Sequence, residues 1–297
     1  MPERTRAADF VVKASYPTVV LITFGVFGLI TAAGVHVTPA AYSAAVVAAA
    51  LVTWHELALP YRPWWKPRQS EVGTDLLFMV VMQMALPYLV SITATIWLTD
   101  LLRSSGLTVD TLWPHSLPVA LQVVTMLLAA DFGRYWLHRA FHRYQFMWSY
   151  HAVHHSPHRL YWLNVGRFHP FEKAVQLALD TLPFAVMGVG REVLGAYFVF
   201  YAVNGFFQHS NCEVRLGPLN CLISGPELHR WHHSEVIAES NNNYGNNLIV
   251  WDVLFGTRFL PPEREVGDLG LINRNYPAGF WTQMRTPFIP KLDKVQH

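Results

Sequence analysis

Residues 138–155, HRAFHRYQFMWSYHAVHH, place five histidines within eighteen positions. His138 and His142 are four residues apart, and the word HAVHH begins at His151. Spacings of three and four put side chains on one face of a helix, with their Cβ atoms about 5–6 Å apart. Imidazole is the commonest metal-ligating side chain in proteins. The stretch therefore predicts helices that present several imidazoles on one side, where neighbouring rings can bind one metal ion.

The HxxHH pattern returns as HRWHH at His229. Surface or core histidines would account well for one such word, but poorly for three words with repeated spacing. Eight imidazoles exceed what one four-coordinate zinc ion needs, so the words predict a site for two ions. His209, at the end of an apolar segment, is a further candidate ligand. The three words hold eight of the fifteen histidines: His138, His142, His151, His154, His155, His229, His232 and His233.

The composition indicates an integral membrane protein. Of the 297 residues, 52% are apolar and 14% are charged, whereas a typical soluble domain carries about 25% charged residues. Apolar blocks at 16–35, 40–59 and 74–102 are long enough to cross a bilayer, which takes about 20 residues. A fourth block, 116–139, leads into the first histidine word. The first block could instead be a cleaved signal peptide. An uncleaved helix is favoured, because the second block follows almost at once.

These blocks predict an all-α membrane bundle of about four transmembrane helices, a short hydrophobic hairpin over 174–208, and a histidine-rich helical cap. Three basic residues precede the first block and three lie in the 60–69 loop, whereas the 103–114 loop has one. Basic loops stay on the cytoplasmic side, so we expect the histidine words at the cytoplasmic membrane face. The net charge of +2, without a basic stripe interleaved with aromatics, argues against nucleic-acid binding.

Other motifs in the chain do not complete a site. The segment HELAL at His55 begins like the zinc-protease motif HExxH, but Leu59 stands where the second histidine must be. The segment GVG at Gly188 lacks the third glycine of a dinucleotide site. Two cysteines are too few for an iron–sulfur cluster or a disulfide framework. Neither protease nor dinucleotide chemistry is therefore predicted.

The order HxxxH, HxxHH, HxxHH, with apolar spans before and between the words, resembles the fatty acid hydroxylase/sterol desaturase superfamily. The resemblance extends to the segment RFHP that begins at Arg167, to NYGNN at 243–247 and to WDVLFGT at 251–257. It covers roughly residues 75–290, and the first two spans are less diagnostic. The resemblance thus covers most of the chain beyond these two spans.

The resemblance implies a di-iron oxygenase that uses O₂ to hydroxylate or desaturate a C–H position of a lipid drawn from the bilayer. Zinc in the same ligand cage is compatible with the resemblance for a purified protein, but zinc has no redox activity. The chain carries no ferredoxin cysteine set and no cytochrome-type haem domain, so a separate electron-transfer protein is expected. Residues 1–73 would hold the first two membrane helices and the basic loop, and 74–297 the hydroxylase-like catalytic region.

Nine ligands are implied by the resemblance, and it divides them between two ions. The first set is His138, His142, His151, His154 and His232. The second set is His155, His209, His229 and His233. His169, before a proline, is an alternative ligand or a support for one. Asp131 lies seven residues before His138 on the same helical face and is a candidate to orient a ligand ring. Asp180, Glu172 and Glu227 are weaker candidates of the same kind.

Alternatives of other classes stay open. A non-enzymatic membrane protein with histidine-ligated haem or metal predicts a Soret absorption band in the haem case. A metal transporter needs polar residues through the bilayer midplane, which the first three blocks almost lack. A zinc hydrolase of the membrane surface would work without oxygen. The sequence leaves the lipid, the choice between hydroxylation and desaturation, and the oligomeric state open.

Overall fold

The computed structural model describes residues 6–92, 99–107, 109–290 and 292–293. Within these ranges the regular elements are helices, joined by loops that contain three isolated antiparallel bridges. The all-α prediction is therefore confirmed. The α-helices, in chain order, are α1 (Arg6–Ala32), α2 (Val37–Ala58), α3 (Gln69–Phe78), α4 (Leu86–Ile92), α5 (Thr99–Ser104), α6 (Val119–Arg143), α7 (Gln145–His155), α8 (Pro170–Val186), α9 (Arg191–His209), α10 (Pro226–His232), α11 (Ile237–Ser240), α12 (Val250–Phe255) and α13 (Phe280–Gln283).

Three helical stretches of the described chain are long and apolar enough to cross a membrane: Ala8–Ala32, Val37–Ala58 and Gln69–Val90. The third joins α3 to α4 through a π-helical segment, Met79–Ala85. Its predicted C-terminal part includes residues 93–98, which lie outside the described residues. These stretches agree with the first three predicted spans.

The predicted count of four spans plus a hairpin is not confirmed. Helix α6 has 25 residues but is not apolar enough to count as a fourth span. Its second half carries Asp131, Arg134 and the first histidine word. In the 174–208 region, α8 and α9 are separate helices. The turn between them contains Gly188 at φ +67°, a conformation that glycine adopts readily. The predicted break at that point is therefore present.

The chain divides into two compact units, each made of three segments. Unit 1 contains Met1–Pro67, Arg159–Val165 and Gly195–Leu269. Unit 2 contains Arg68–His158, Gly166–Leu194 and Gly270–His297. The first cut falls near the division at 73/74 expected from the sequence, but both units also take up later segments. The two-part division of the sequence thus stays a prediction.

In each unit a core residue fixes the orientation of an HxxHH word. Val153, inside the word that begins at His151, is fully buried with Phe78 and Met82 in the core of unit 2. Trp231, inside the word that begins at His229, packs in the core of unit 1. Since core packing orients the helix, burying these apolar residues directs the flanking histidines away from the core contact.

The first two helices form part of unit 1. Helix α2 buries small residues at four-residue intervals, which lets α1 pack closely against it. The short turn between these helices contains Gly34 at φ +83°. This pair delivers the C-terminal end of α2, and the basic loop that follows it, to the rest of unit 1.

Candidate metal centre

Unit 2 brings four histidines of α6 and α7 together. The candidate ligand nitrogens of His138, His142, His151 and His155 lie within 4.8 Å of one another. The Nε2 atoms of His138 and His151 are 3.0 Å apart. Two nitrogens that bind one ion at right angles, each about 2.1 Å away, are separated by about 3.0 Å. The donor set of unit 2 therefore fits a transition-metal ion.

The helix corner between α6 and α7 produces this arrangement. Helix α6 ends at Arg143, and Tyr144 takes an extended conformation before α7 begins at Gln145. One non-helical residue thus separates the two helices that carry the first two histidine words. Aromatic rings pack around them: Phe141 stacks on His151 with centroids 5.4 Å apart. This packing limits the freedom of the imidazole and excludes water from it.

The second ring nitrogen of two unit 2 histidines has an identified acceptor. His151 Nδ1 lies 2.7 Å from the Glu172 carboxylate, and Gln176 donates to the same oxygen at 2.8 Å. His154 Nδ1 lies 3.2 Å from the backbone carbonyl of Arg167. A ring that donates its Nδ1–H in this way presents Nε2 to a metal, which fixes both tautomer and orientation.

Glu172 is fully buried in unit 2. Burial raises the pKa of Glu172 to about 8, while the positive charges of Arg134 and Lys173 act in the opposite direction. A metal ion on His151 would add positive charge nearby and favour the carboxylate form. In that form Glu172 can accept a hydrogen bond from the Nδ1–H of His151 and offset part of the charge of the ion.

Unit 1 forms a second set from His209, His229 and His233. Their candidate ligand nitrogens lie within 4.8 Å of one another, and the Nε2 atoms of His229 and His233 are 3.1 Å apart. The ring centroid of His209 lies 4.9 Å from His229 and 4.8 Å from His233. Helix α9 ends at His209, whereas the other two belong to the α10 word, so the set combines distant parts of the sequence.

Oxygen acceptors also orient the histidines of unit 1. His209 Nδ1 lies 2.9 Å from the side-chain oxygen of Asn164, and His232 Nδ1 lies 2.8 Å from the backbone carbonyl of Asn242. Burial lowers the pKa of His232 to about 4. It therefore stays neutral at physiological pH, and the neutral imidazole is the form that binds a metal.

Three histidines lie differently from what the sequence led us to expect. His155, and not His154, groups with His138, His142 and His151, because i, i+4 spacing on α7 puts His155 one turn beyond His151. His169 is the N-cap of α8: its Nδ1 accepts the Phe171 N–H at 3.2 Å, and its Nε2 lies 3.3 Å from the Met284 carbonyl. Both its nitrogens are engaged within unit 2.

Among the acids, the structure singles out Glu172 as the partner of His151. Asp131, the stronger candidate from the sequence, is fully buried in α6, and its role stays a prediction. Sequence reasoning missed Asn164, because it lies 45 positions before His209 and no local pattern connects the two.

A model of the fatty acid hydroxylase family matches residues 123–257, which contain all nine histidines that were predicted as metal ligands. Ornithine lipid hydroxylase OlsE of Rhizobium tropici is 36% identical over 251 residues, covering 82% of this chain and 73% of that protein. The chain belongs to the fatty acid hydroxylase family. The predicted superfamily is therefore confirmed.

Other family members show lower coverage. Alkylglycerol monooxygenases of Xenopus tropicalis and Homo sapiens are each 32% identical, over 47% and 44% of this chain. The chain spans only 30% and 29% of the length of these two proteins. The aldehyde decarbonylase GL1-8 of Oryza sativa subsp. indica is 30% identical over 48% of this chain and 54% of its own length. No solved structure is significantly similar to the chain.

This fatty acid hydroxylase family member is a lipid-modifying oxygenase. The family uses iron and O₂, and the histidine sets of both units offer the nitrogen donors that iron binds. The apolar helices indicate a membrane protein. Enzyme class and family thus agree with the expectation from the histidine words.

Proposed function

We propose that this chain is a multi-pass membrane hydroxylase that holds two iron ions and inserts one oxygen atom of O₂ into a lipid C–H bond. The reaction consumes two electrons and two protons, and the second oxygen atom leaves as water. The observation that supports it most strongly is the pair of histidine sets, four residues in unit 2 and three in unit 1. Bound iron would supply the redox chemistry that O₂ activation needs. His154 and His232, buried and each anchored at Nδ1, are proposed as the remaining ligands.

The residues of the chain have defined tasks in this proposal. Neutral imidazoles donate nitrogen, and Glu172, Asn164 and backbone carbonyls hold their second nitrogens. Aromatic rings such as Phe141 and Phe168 stack on ligand histidines, with 4.3 Å between the centroids of His154 and Phe168. Their apolar surface limits the access of water, which protects a reactive centre from side reactions.

We infer that the substrate is an ornithine lipid or a related aminolipid. The support is the similarity to ornithine lipid hydroxylase OlsE, which extends over 73% of that protein. The hydroxylase and monooxygenase relatives favour hydroxylation over desaturation. The proposal also includes a separate electron-transfer protein, which would supply the two electrons that hydroxylation with O₂ consumes.

We propose that the histidine sets lie at the cytoplasmic membrane face. The basic loop after α2 supports this placement for unit 1, because Tyr61 donates its N–H to the Asn211 carbonyl at 2.7 Å, two residues after His209. Basic loops stay in the cytoplasm. The end of α9 is therefore expected on the same side as the loop.

Lipid analysis tests the proposed reaction. The full chain is expressed in a bacterium that makes ornithine lipid, and extracted lipids are compared by mass spectrometry with those of an empty-vector strain. We expect an ornithine lipid heavier by one oxygen atom, with the added atom derived from isotopically labelled O₂. The His154→Ala variant should accumulate in the membrane but form no product.

Two results would contradict the proposal. One is an unchanged lipid profile in cells whose purified protein is loaded with iron. The other is a Soret band with stoichiometric haem, which would support a histidine-ligated haem protein instead.

A further inference from the structure

Glu56 lies at the C-terminal end of α2, outside the residues that the family model matches. One oxygen of its carboxylate, Oε1, accepts two backbone N–H groups. These come from Trp162 and Asn211, both at 2.8 Å. The two donors lie 106 and 155 residues away in sequence. The acid of the HELAL segment thus connects a membrane helix to two remote loops of unit 1.

Both loops lead to the same metal-ligand candidate. Trp162 begins a short 3₁₀ helix that carries Asn164, whose side-chain oxygen lies 2.9 Å from His209 Nδ1. Asn211 follows His209 by two residues. Glu56 therefore holds the backbone beside both partners of the Asn164–His209 hydrogen bond.

A network of backbone hydrogen bonds keeps Glu56 at this position. The segment after α2 pairs with the segment after α9: the Glu213 N–H donates to the Leu59 carbonyl at 2.9 Å, and an antiparallel bridge joins Pro60 to Cys212. The Asn211 side chain both donates to and accepts from the backbone of Arg62, at 2.9 Å each. The hydrogen bond between Glu56 and Asn211 is thus one of several that join these two segments of unit 1.

Arg230 holds the same segment from α10. Its guanidinium donates to the backbone carbonyls of Ser210 and Cys212, at 3.2 and 2.6 Å, and lies 4.0 Å above the Tyr61 ring. The residues that follow His209 are therefore held by both Glu56 and Arg230.

We infer that Glu56 is a positioning residue for His209, holding its ring and the Asn164 acceptor in register for metal binding. A side-chain oxygen that accepts two backbone N–H groups satisfies both donors and ties their loops to the end of α2. Groups that orient a ligand imidazole change metal affinity by about 10–100-fold when they are removed. The inference rests on the proposed function, because it requires His209 to bind one of the two ions.

Three substitutions separate the reach of this side chain from its charge. Glu56→Gln keeps an acceptor oxygen at the same distance, Glu56→Asp keeps the charge but is one methylene shorter, and Glu56→Ala removes the acceptor. Each full-length variant is purified in detergent and titrated with Fe²⁺, and with Co²⁺ as a spectroscopic probe. The readouts are ions bound per chain, the affinity of each, the Co²⁺ absorption spectrum and the thermal midpoint.

We expect wild type and Glu56→Gln to bind two ions. In Glu56→Asp and Glu56→Ala the affinity for one ion should fall about 10–100-fold, while the ion of the unit 2 set is kept. Glu71→Ala is the control, because the Glu71 carboxylate also accepts a backbone N–H, that of Arg68 at 2.8 Å, at the start of α3. It should lower the thermal midpoint and keep both ions.

Different results would overturn different conclusions. Two ions bound at wild-type affinity in Glu56→Asp and Glu56→Ala would remove the positioning role. Loss of an ion in Glu56→Gln, with retention in Glu56→Asp, would also overturn it, because charge alone would then matter. If Glu56→Ala does not fold, the Asp and Gln variants decide the question. A wild-type chain that binds no second ion would instead refute the two-iron proposal itself.

Discussion

At the scale of single residues, the partner of one ring nitrogen determines what the other can bind. The Glu172 carboxylate accepts the Nδ1–H of His151, and the Asn164 side-chain oxygen accepts that of His209. Each acceptor leaves Nε2 to face the neighbouring imidazoles. The acidic partner makes its imidazole a stronger donor than the amide partner does, because a carboxylate draws the proton more strongly. The two sets are therefore expected to differ in metal affinity.

Substitution of Glu172 tests the first of these contacts. We expect Glu172→Ala to lower the affinity of the unit 2 set for its metal ion by about 10–100-fold, because His151 loses its orienting acceptor. Glu172→Gln keeps an oxygen near His151 Nδ1, so its metal affinity should fall less. Metal titration of purified protein measures both effects, and Gln176→Ala, which removes only the donor to Glu172, is the control. Equal affinities in all variants would show that Glu172 does not orient a ligand.

At the scale of elements, caps and corners decide which histidines are available. One extended residue, Tyr144, separates α6 from α7 and brings the first two words together. His169 instead caps the N-terminus of α8. Its Nδ1 accepts the Phe171 N–H, and its Nε2 lies 3.3 Å from the Met284 carbonyl oxygen. A helix cap satisfies a backbone donor that the helix itself leaves open. His169 therefore serves the fold of unit 2.

A substitution at His169 distinguishes a cap from a ligand. We expect His169→Ala to lower the free energy of unfolding by roughly 0.5–2 kcal/mol, because the first turn of α8 loses its side-chain cap. His169→Asn should recover most of this loss, since asparagine caps well. Iron content per chain should stay at the wild-type value in both variants. Loss of an ion with unchanged thermal stability would identify His169 as a ligand.

At the scale of the whole molecule, the described chain combines three helical stretches that are long and apolar enough to cross a membrane with the shorter elements that carry the histidine words. The basic loop after α2 and the segment after His209 pair within unit 1, so a topology measurement on any exposed unit 1 residue near them reports the side of that metal set. The chain offers a natural probe, because Cys221 is exposed and Cys212 is buried.

Thiol labelling tests the proposed orientation. In spheroplasts of an expressing bacterium, a membrane-impermeant maleimide should leave the chain unlabelled until the membrane is permeabilised. Cys221 should then react, because its thiol is exposed and the proposed orientation places it on the cytoplasmic side. Cys221→Ser should abolish labelling of the folded protein, and labelling of Cys212 should require denaturant. Reaction of Cys221 in intact spheroplasts would place the segment around Cys221, and with it the unit 1 histidine set, on the outer side.

The sequence by itself determined the helical class, the three apolar spans and the histidine words, because each is written in spacings of three to twenty residues that one helix can display. It also pointed to the family. The partner of each ring depended on the tertiary structure: Glu172 lies 21 residues from His151, and Asn164 lies 45 residues from His209.

The role of Glu56 shows the same limit most clearly. In the sequence its segment is an incomplete protease motif, and nothing nearby connects it to a metal ligand. In the structure its carboxylate reaches a loop 155 residues away. Periodicity describes which face of a helix a residue occupies, but contacts between distant segments arise only when the chain packs. The histidines that are candidate ligands could therefore be predicted from local spacing. The groups that orient them could not, because distant segments meet only in the folded chain.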